Sequence, residues 1–222
     1  MHIRCLTLAL FVVAIPLWAG TCTPSAHAVE QPQFLSKWPI LTWGCGSLDV
    51  SATGDVYLVD AIFSVVYQYS SAGTLLRSWG GLGSAAGQFN QPYGIAVSPD
   101  GRVLVSDTGN HRIEAFSLTG QFLSAWGTLG SLAGQLDQPV GIDTDAAGNV
   151  YVADYGNKRI EKFTPDGSFV AEWKATLGGS LQDPEGLAVD RAHGVVYVSD
   201  VLTNQVTAFD PSGTPLFAFG GE

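Results

Sequence analysis

The sequence predicts an all-β protein: a β-propeller of four-stranded antiparallel blades, with about four blades in the chain. Three observations lead there. Trp79, Trp126 and Trp173 recur every 47 residues, and Phe219 follows 46 residues after the last of them. The text between these aromatics repeats, and a fixed period of this length marks stacked or radial repeats. Each repeat holds four short runs rich in Val, Ile, Tyr, Phe and Trp, separated by Gly-containing tripeptides suited to tight hairpins. One such meander leaves both faces bare, whereas several arrayed around an axis bury them on one another.

The N-terminal segment reads as a leader rather than a blade. Arg4 supplies a positive start, residues 6–20 run apolar around Pro16, and Ala26-His27-Ala28 fits a small-x-small cleavage site. This pattern predicts a signal peptide over residues 1–28, cleaved after Ala28, and export to the periplasm or the extracellular space. An N-terminal membrane anchor and a lipid on Cys22 are the alternatives. The apolar run is short for a span, and Thr21 stands where a small residue is expected before a lipidated Cys. Cleavage removes Cys5 and Cys22, so Cys45 is left as the one thiol and no internal disulfide is expected.

The remainder, residues 29–222, is read as one domain with blades over about 39–79, 80–126, 127–173 and 174–219. The first unit is the weakest repeat: Cys45-Gly46-Ser47 opens it and Ala61-Ile62-Phe63-Ser64 forms its middle turn. The second and third units agree closely with each other. In the third, strands are expected at residues 141–144, 149–154, 159–163 and 169–173. Its second strand is apolar on both faces (Val150 and Val152, Tyr151 and Ala153), as a sheet between two neighbours requires. Its third strand is mixed, with Ile160 and Lys162 against Glu161 and Phe163, and its fourth sets Glu172 against Phe169, Ala171 and Trp173. The fourth unit replaces the Asn-x-Arg of its neighbours by Thr203-Asn204-Gln205. The Trp ladder (Trp79, Trp126, Trp173) is read as wedges between blades, because large aromatics dominate core burial.

The order P-x-G-I-A-V, D-x-x-G-N-V-Y-V-A-D, G-N-x-R-I-x-x-F and G-x-F-x-x-W resembles the NHL repeat, across residues 36–220 and most strongly in the two central units. The resemblance implies a β-propeller, usually of six blades; this chain supplies four. Fourth-strand segments end at Trp38, Trp79, Trp126, Trp173 and Phe219, while the other three strand types number four each. That imbalance predicts an open arc, a partial propeller whose end blades self-associate through their bare faces. A compact four-bladed ring is the rival.

Connectors sort onto two faces because propeller strands alternate in direction. One face carries the hairpins after first and third strands. The other carries the turns 107–112, 154–159 and 200–205, and the long inter-blade loops 80–92, 127–139 and 174–184. Loops on a rigid scaffold are the usual binding elements, so a ligand is expected on this long-loop face around the channel mouth. The candidate ligand-binding residues are Tyr93 and Glu185 between the Pro and Gly of their units, with His111, Tyr155 and Lys158 in the neighbouring turns. Asp107, Asn110 and Arg112, and again Asp154, Asn157 and Arg159, are read as structural: short polar side chains bond turn backbone, and each Arg stands at the same spacing from its Asp. No metal is expected there, and Asp143 with Asp145 offers too few oxygens for Ca²⁺.

Charge narrows the partners. Ten Lys and Arg stand against 20 Asp and Glu, which leaves no basic field for nucleic acid. The reading is an exported, non-enzymatic scaffold that binds a protein, peptide or glycan, without a cofactor. The alternative is a propeller enzyme, a lyase or lactone hydrolase, with its site at the channel mouth. Against it, the mature chain keeps only His111 and His193, placed on opposite faces, has no G-x-S-x-G, and gives Cys45 no visible His partner.

Overall fold

The computed structural model describes residues 45–221. The leader over residues 1–28 and the strand ending at Trp38 lie outside the described residues. Four antiparallel sheets of four strands follow one another along the chain. The first comprises β1 (Cys45–Val50), β2 (Val56–Asp60), β3 (Val65–Tyr69) and β4 (Leu75–Gly80). The second comprises β5 (Ile95–Val97), β6 (Arg102–Asp107), β7 (Arg112–Ser117) and β8 (Phe122–Trp126). The third comprises β9 (Pro139–Thr144), β10 (Val150–Asp154), β11 (Arg159–Phe163) and β12 (Phe169–Trp173). A two-residue ribbon, β13 (Ala175–Thr176) with β14 (Gly179–Ser180), precedes the fourth sheet. That sheet comprises β15 (Pro184–Asp190), β16 (Val195–Asp200), β17 (Gln205–Phe209) and β18 (Pro215–Gly220). Each sheet is a meander in chain order, so the protein is an all-β propeller arrangement of four blades among the described residues.

Burial follows the strand position. The second strands β2 and β10 are buried at every residue, while β18 is largely exposed at the rim. Three apolar cores lie between successive blades rather than within one. The first joins Tyr57, Val59 and Val66 to Phe89, Ile95, Val97 and Phe116; the other two repeat this between the second and third and the third and fourth blades. The Trp ladder wedges these joints. Trp79 meets Phe116 of the next blade at 5.9 Å between ring centroids, Trp126 meets Phe163 at 6.2 Å, and Trp173 stacks on Phe209 at 5.8 Å.

The third strand departs from its expected mixed character. Glu114 on β7 and Glu161 on β11 are fully buried, because the inter-blade loop folds back over the middle of the strand. The stretch 174–184, expected as a plain loop, contains the β13–β14 ribbon.

Candidate functional site

Innermost strands β1, β5, β9 and β15 each pair with one partner only, so their other edges face the axis. A Cβ on Gly94 would stand 2.1 Å from the Val140 carbonyl oxygen, and one on Gly141 would stand 2.3 Å from that of Glu185. The Gly after P-x is therefore what lets neighbouring innermost strands approach. A cavity of about 500 Å³ lies between these strands, lined among others by Ser47, Asp49, Ile95, Asp143, Leu187 and Arg191.

The charged groups of this cavity join blades. Asp49 accepts from the Val97 amide at 2.7 Å, and Asp143 accepts from the Val189 amide at 2.7 Å. Each carboxylate thus caps an edge amide of the following blade. Burial pushes the Asp143 carboxyl up, against the pull of the Val189 and Thr144 amides and of Arg191. Arg191 spans three blades: it donates to the Val97 carbonyl at 3.0 Å, to the Thr144 carbonyl at 3.0 Å and to Asp143 at 3.1 Å. Beside it, His193 Nδ1 stands 2.6 Å from Asp190 Oδ2 in an exposed hairpin at the cavity rim.

At the other end of the innermost strands, the Tyr93 hydroxyl donates to Glu185 Oε1 at 2.6 Å. This contact brings two of the expected binding residues together, from the second and fourth blades. The remaining three are separate from it. His111 adopts a left-handed φ of 55°, and its Nδ1 accepts from the Gln138 amide at 3.1 Å. Lys158 holds the same turn position with φ 56° and is exposed. Tyr155 packs on the core between the third and fourth blades. None of the five is among the residues lining the cavity.

Two clamps hold the long loops. Arg112 donates to Asp107 at 2.8 Å and to the carbonyls of Ser84, Ala85 and Gln88 at 2.9, 3.1 and 2.9 Å. Asn110 binds the Gly83 carbonyl, and the Asn90 amide donates to Asp107. The third blade repeats every contact: Arg159 with Asp154 and the carbonyls of Ser131, Leu132 and Gln135, Asn157 with Gly130, and the Asp137 amide with Asp154. Both sets of residues hold loop backbone through these contacts. The carboxylates that complete the clamps, Glu114 at 3.0 Å from Arg112 and Glu161 at 3.0 Å from Arg159, were not legible as such. The repeated R-I-E at 112–114 and 159–161 was the available signal. Among the described residues no cluster of three or more His, Cys, Asp or Glu has metal-site geometry.

The clamped loops present apolar side chains to solvent. Leu82 is 75% exposed, Leu129 62% and Leu132 71%, while Phe89 and Leu136 anchor the same loops beneath them at 0%. On the same face, the middle turns of the outer blades carry exposed Ile62 and Phe63, and Val201 and Leu202. The Gly81 amide donates to the Ser64 carbonyl at 2.7 Å, which sets the first of these turns beside the loop bearing Leu82.

Residues 47–178 match the family model for the SMP-30/gluconolactonase/LRE-like region. No curated protein sequence matches the chain. Among solved structures, a streptogramin B lyase superposes with a TM-score of 0.63 at 17% identity, covering 82% of this chain and 56% of that one. A catalytically inactive virginiamycin B lyase from Staphylococcus aureus with quinupristin gives 0.61 at 13%, covering 82% and 57%. Hydrazine synthase from Kuenenia stuttgartiensis gives 0.61 at 15%, covering 85% and 53%. The chain thus spans somewhat over half the length of these structures, and at such identities the likeness concerns the fold.

Proposed function

The chain belongs to the SMP-30/gluconolactonase/LRE-like family, and from that premise we propose that it is an exported, NHL-type propeller module that binds a protein or peptide on its long-loop face without catalysing a reaction. The observation that carries this reading is the set of exposed Leu82, Leu129 and Leu132 on loops whose backbones are pinned by Arg112 and Arg159. An apolar surface on a pre-ordered frame loses little entropy on binding. Exposed Ile62, Phe63, Val201 and Leu202 extend the same face. A glycan partner fits it less well, since apolar branched side chains offer no hydrogen bonds to hydroxyls. Export rests on the leader pattern of residues 1–28.

Selection of displayed random peptides against the chain tests the reading. Enriched peptides should carry aliphatic or aromatic anchors. Replacing both Leu129 and Leu132 by Asp should weaken them by about tenfold or more, the weight of a hot-spot contact. Peptides that bind the double variant equally well would overturn it.

A second reading, a lyase or lactone hydrolase, draws support from a different place. Asp190 orients His193 at the rim of the channel cavity, beside Arg191. A carboxylate on Nδ1 leaves Nε2 of the imidazole to act as a general base. Turnover on a lactone and lyase substrate panel that disappears in His193→Ala would favour this reading over the first.

A further inference from the structure

Each loop clamp contains one carboxyl group more than its cations can neutralise. Under loop 80–92, Asp107 and Glu114 share Arg112; under loop 127–139, Asp154, Glu161 and Glu172 share Arg159, with Lys174 as a second cation on Glu172. Asp107, Glu114, Asp154 and Glu161 are 0% exposed. Their hydrogen bonding is unequal. Asp154 takes three donors, from the Asp137 amide, Asn157 and Arg159, and Asp107 takes the corresponding three from Asn90, Asn110 and Arg112. Glu161 Oε1 accepts from the Gly134 amide at 3.2 Å and lies 3.0 Å from the Arg159 guanidinium, while its Oε2 is buried with no hydrogen-bond partner; Glu114 is held in the same way by the Gly87 amide and beside Arg112.

We propose that Glu114 and Glu161 are protonated while their loops are docked, so that docking of loops 80–92 and 127–139 takes up one proton each and loosens as the medium turns alkaline. A buried ionised carboxylate with a bare oxygen is costly, and a neutral acid in the same place much less so. Of the two fully buried carboxyl groups in each clamp, the proton settles on the one with fewer donors, the glutamate. Burial pushes both glutamates up to about 7, over the pull of the adjacent arginine and glycine amide. The charged groups that face Glu114 are Arg112 and Asp107; those facing Glu161 are Arg159, Asp154 and Glu172, with Lys174 bonded to Glu172 on its solvent side. Opening a loop admits water to the glutamate and returns it to its ordinary range, so opening releases the proton. The first and fourth blades place Tyr67 and Thr207 at the glutamate position, which confines the device to the two central loops. It is independent of both functional readings above.

Two measurements on the full chain test it. Infrared difference spectra should show the carbonyl stretch of protonated carboxylic acids at pH 6, lost in the Glu114→Gln/Glu161→Gln double variant. Amide hydrogen exchange, corrected for intrinsic rates, should show loops 80–92 and 127–139 opening about tenfold more at pH 8 than at pH 6, the ratio expected for one carboxylate near 7 when closed and in its usual range when open. Loops protected equally at pH 6 and pH 8, or no protonated-acid band at pH 6, would overturn the proposal. So would Gln variants whose loops open at pH 6, since glutamine mimics the neutral acid. If the double variant fails to fold, the pH series on the native chain decides alone, and its infrared band and loop exchange should titrate together.

Discussion

Trp126 lies against Gly167 so closely that a Cβ on that glycine would stand 2.7 Å from the indole ring. Trp79 faces Gly120 and Trp173 faces Gly213 in the same way. The 47-residue period is thus a repeat of joints: the aromatic of one blade needs the bare hairpin of the next. Gly167 also adopts φ +87°. Gly167→Ala therefore combines left-handed strain with a clash against the ring packed on the inter-blade core, and should cost about 2–4 kcal/mol. Gly101 is the control, with φ +82° but only Leu118 at 3.7 Å. Gly101→Ala should cost about 1–2 kcal/mol, the backbone strain alone. Thermal or urea unfolding of both variants checks the difference, and equal costs would remove the Trp–Gly joint from the account.

Arg159 is 1% exposed and Arg112 17%; the two share the same loop contacts, and Arg159 adds an ion pair to Glu172 at 2.5 Å. Arg159→Ala strands Asp154 and Glu161 in the interior and should cost about 3–5 kcal/mol. Arg112→Ala admits water more readily and should cost less. Arg159→Lys should not rescue it, because one ammonium cannot reach three carboxyl groups and three carbonyls as a planar fork does. Urea unfolding gives the order. Hydrogen exchange on loop 127–139 should show that loop released first.

Period, hairpin glycines and β-branched runs make the sixteen blade strands legible in the sequence. Glu161 was not legible, because strand alternation reports the two faces of a sheet and not a loop that folds across it. Nor was the Asp49 bond to Val97, which depends on how closely two innermost strands approach. Tyr93 and Glu185 share a position between Pro and Gly in their repeats; that they touch depends on blade curvature, which local sequence does not encode.

The contact between Tyr93 and Glu185 crosses over the third blade, whose Val140 lies between them in the chain order of the innermost strands. Arg191 makes a second tie between the same two blades at the far end of the channel, through the Val97 carbonyl. Tyr93→Phe and Glu185→Gln should each cost about 1 kcal/mol or less, as half-exposed hydrogen bonds do. A double-mutant cycle should return a coupling of about 0.5–1 kcal/mol, which distant residues of independent blades would not show. Arg191→Ala should cost more than either, because it removes four bonds and leaves Asp143 without its cation.

Stability should be greatest in mildly acidic solution. Glu114 and Glu161 are raised in the folded chain, so between about pH 5 and pH 7 the folded state binds more protons than the unfolded one, and stability falls as pH rises through that window. Asp200 works in the other direction. Burial tends to raise its carboxyl, but the Gln182 and Thr203 amides outweigh that and hold it below the usual range. Asp100 is likewise held down by its pairing with Arg102, against the effect of burial. Their contribution is present above the ordinary carboxylate range and is lost as pH falls through their depressed values. Urea unfolding from pH 3 to pH 8 should therefore pass through a maximum near pH 5, and Glu114→Gln/Glu161→Gln should flatten only its alkaline side. A native chain whose stability rises steadily from pH 5 to pH 8 would mean that both glutamates are ionised in the folded state, with Arg112 and Arg159 outweighing burial.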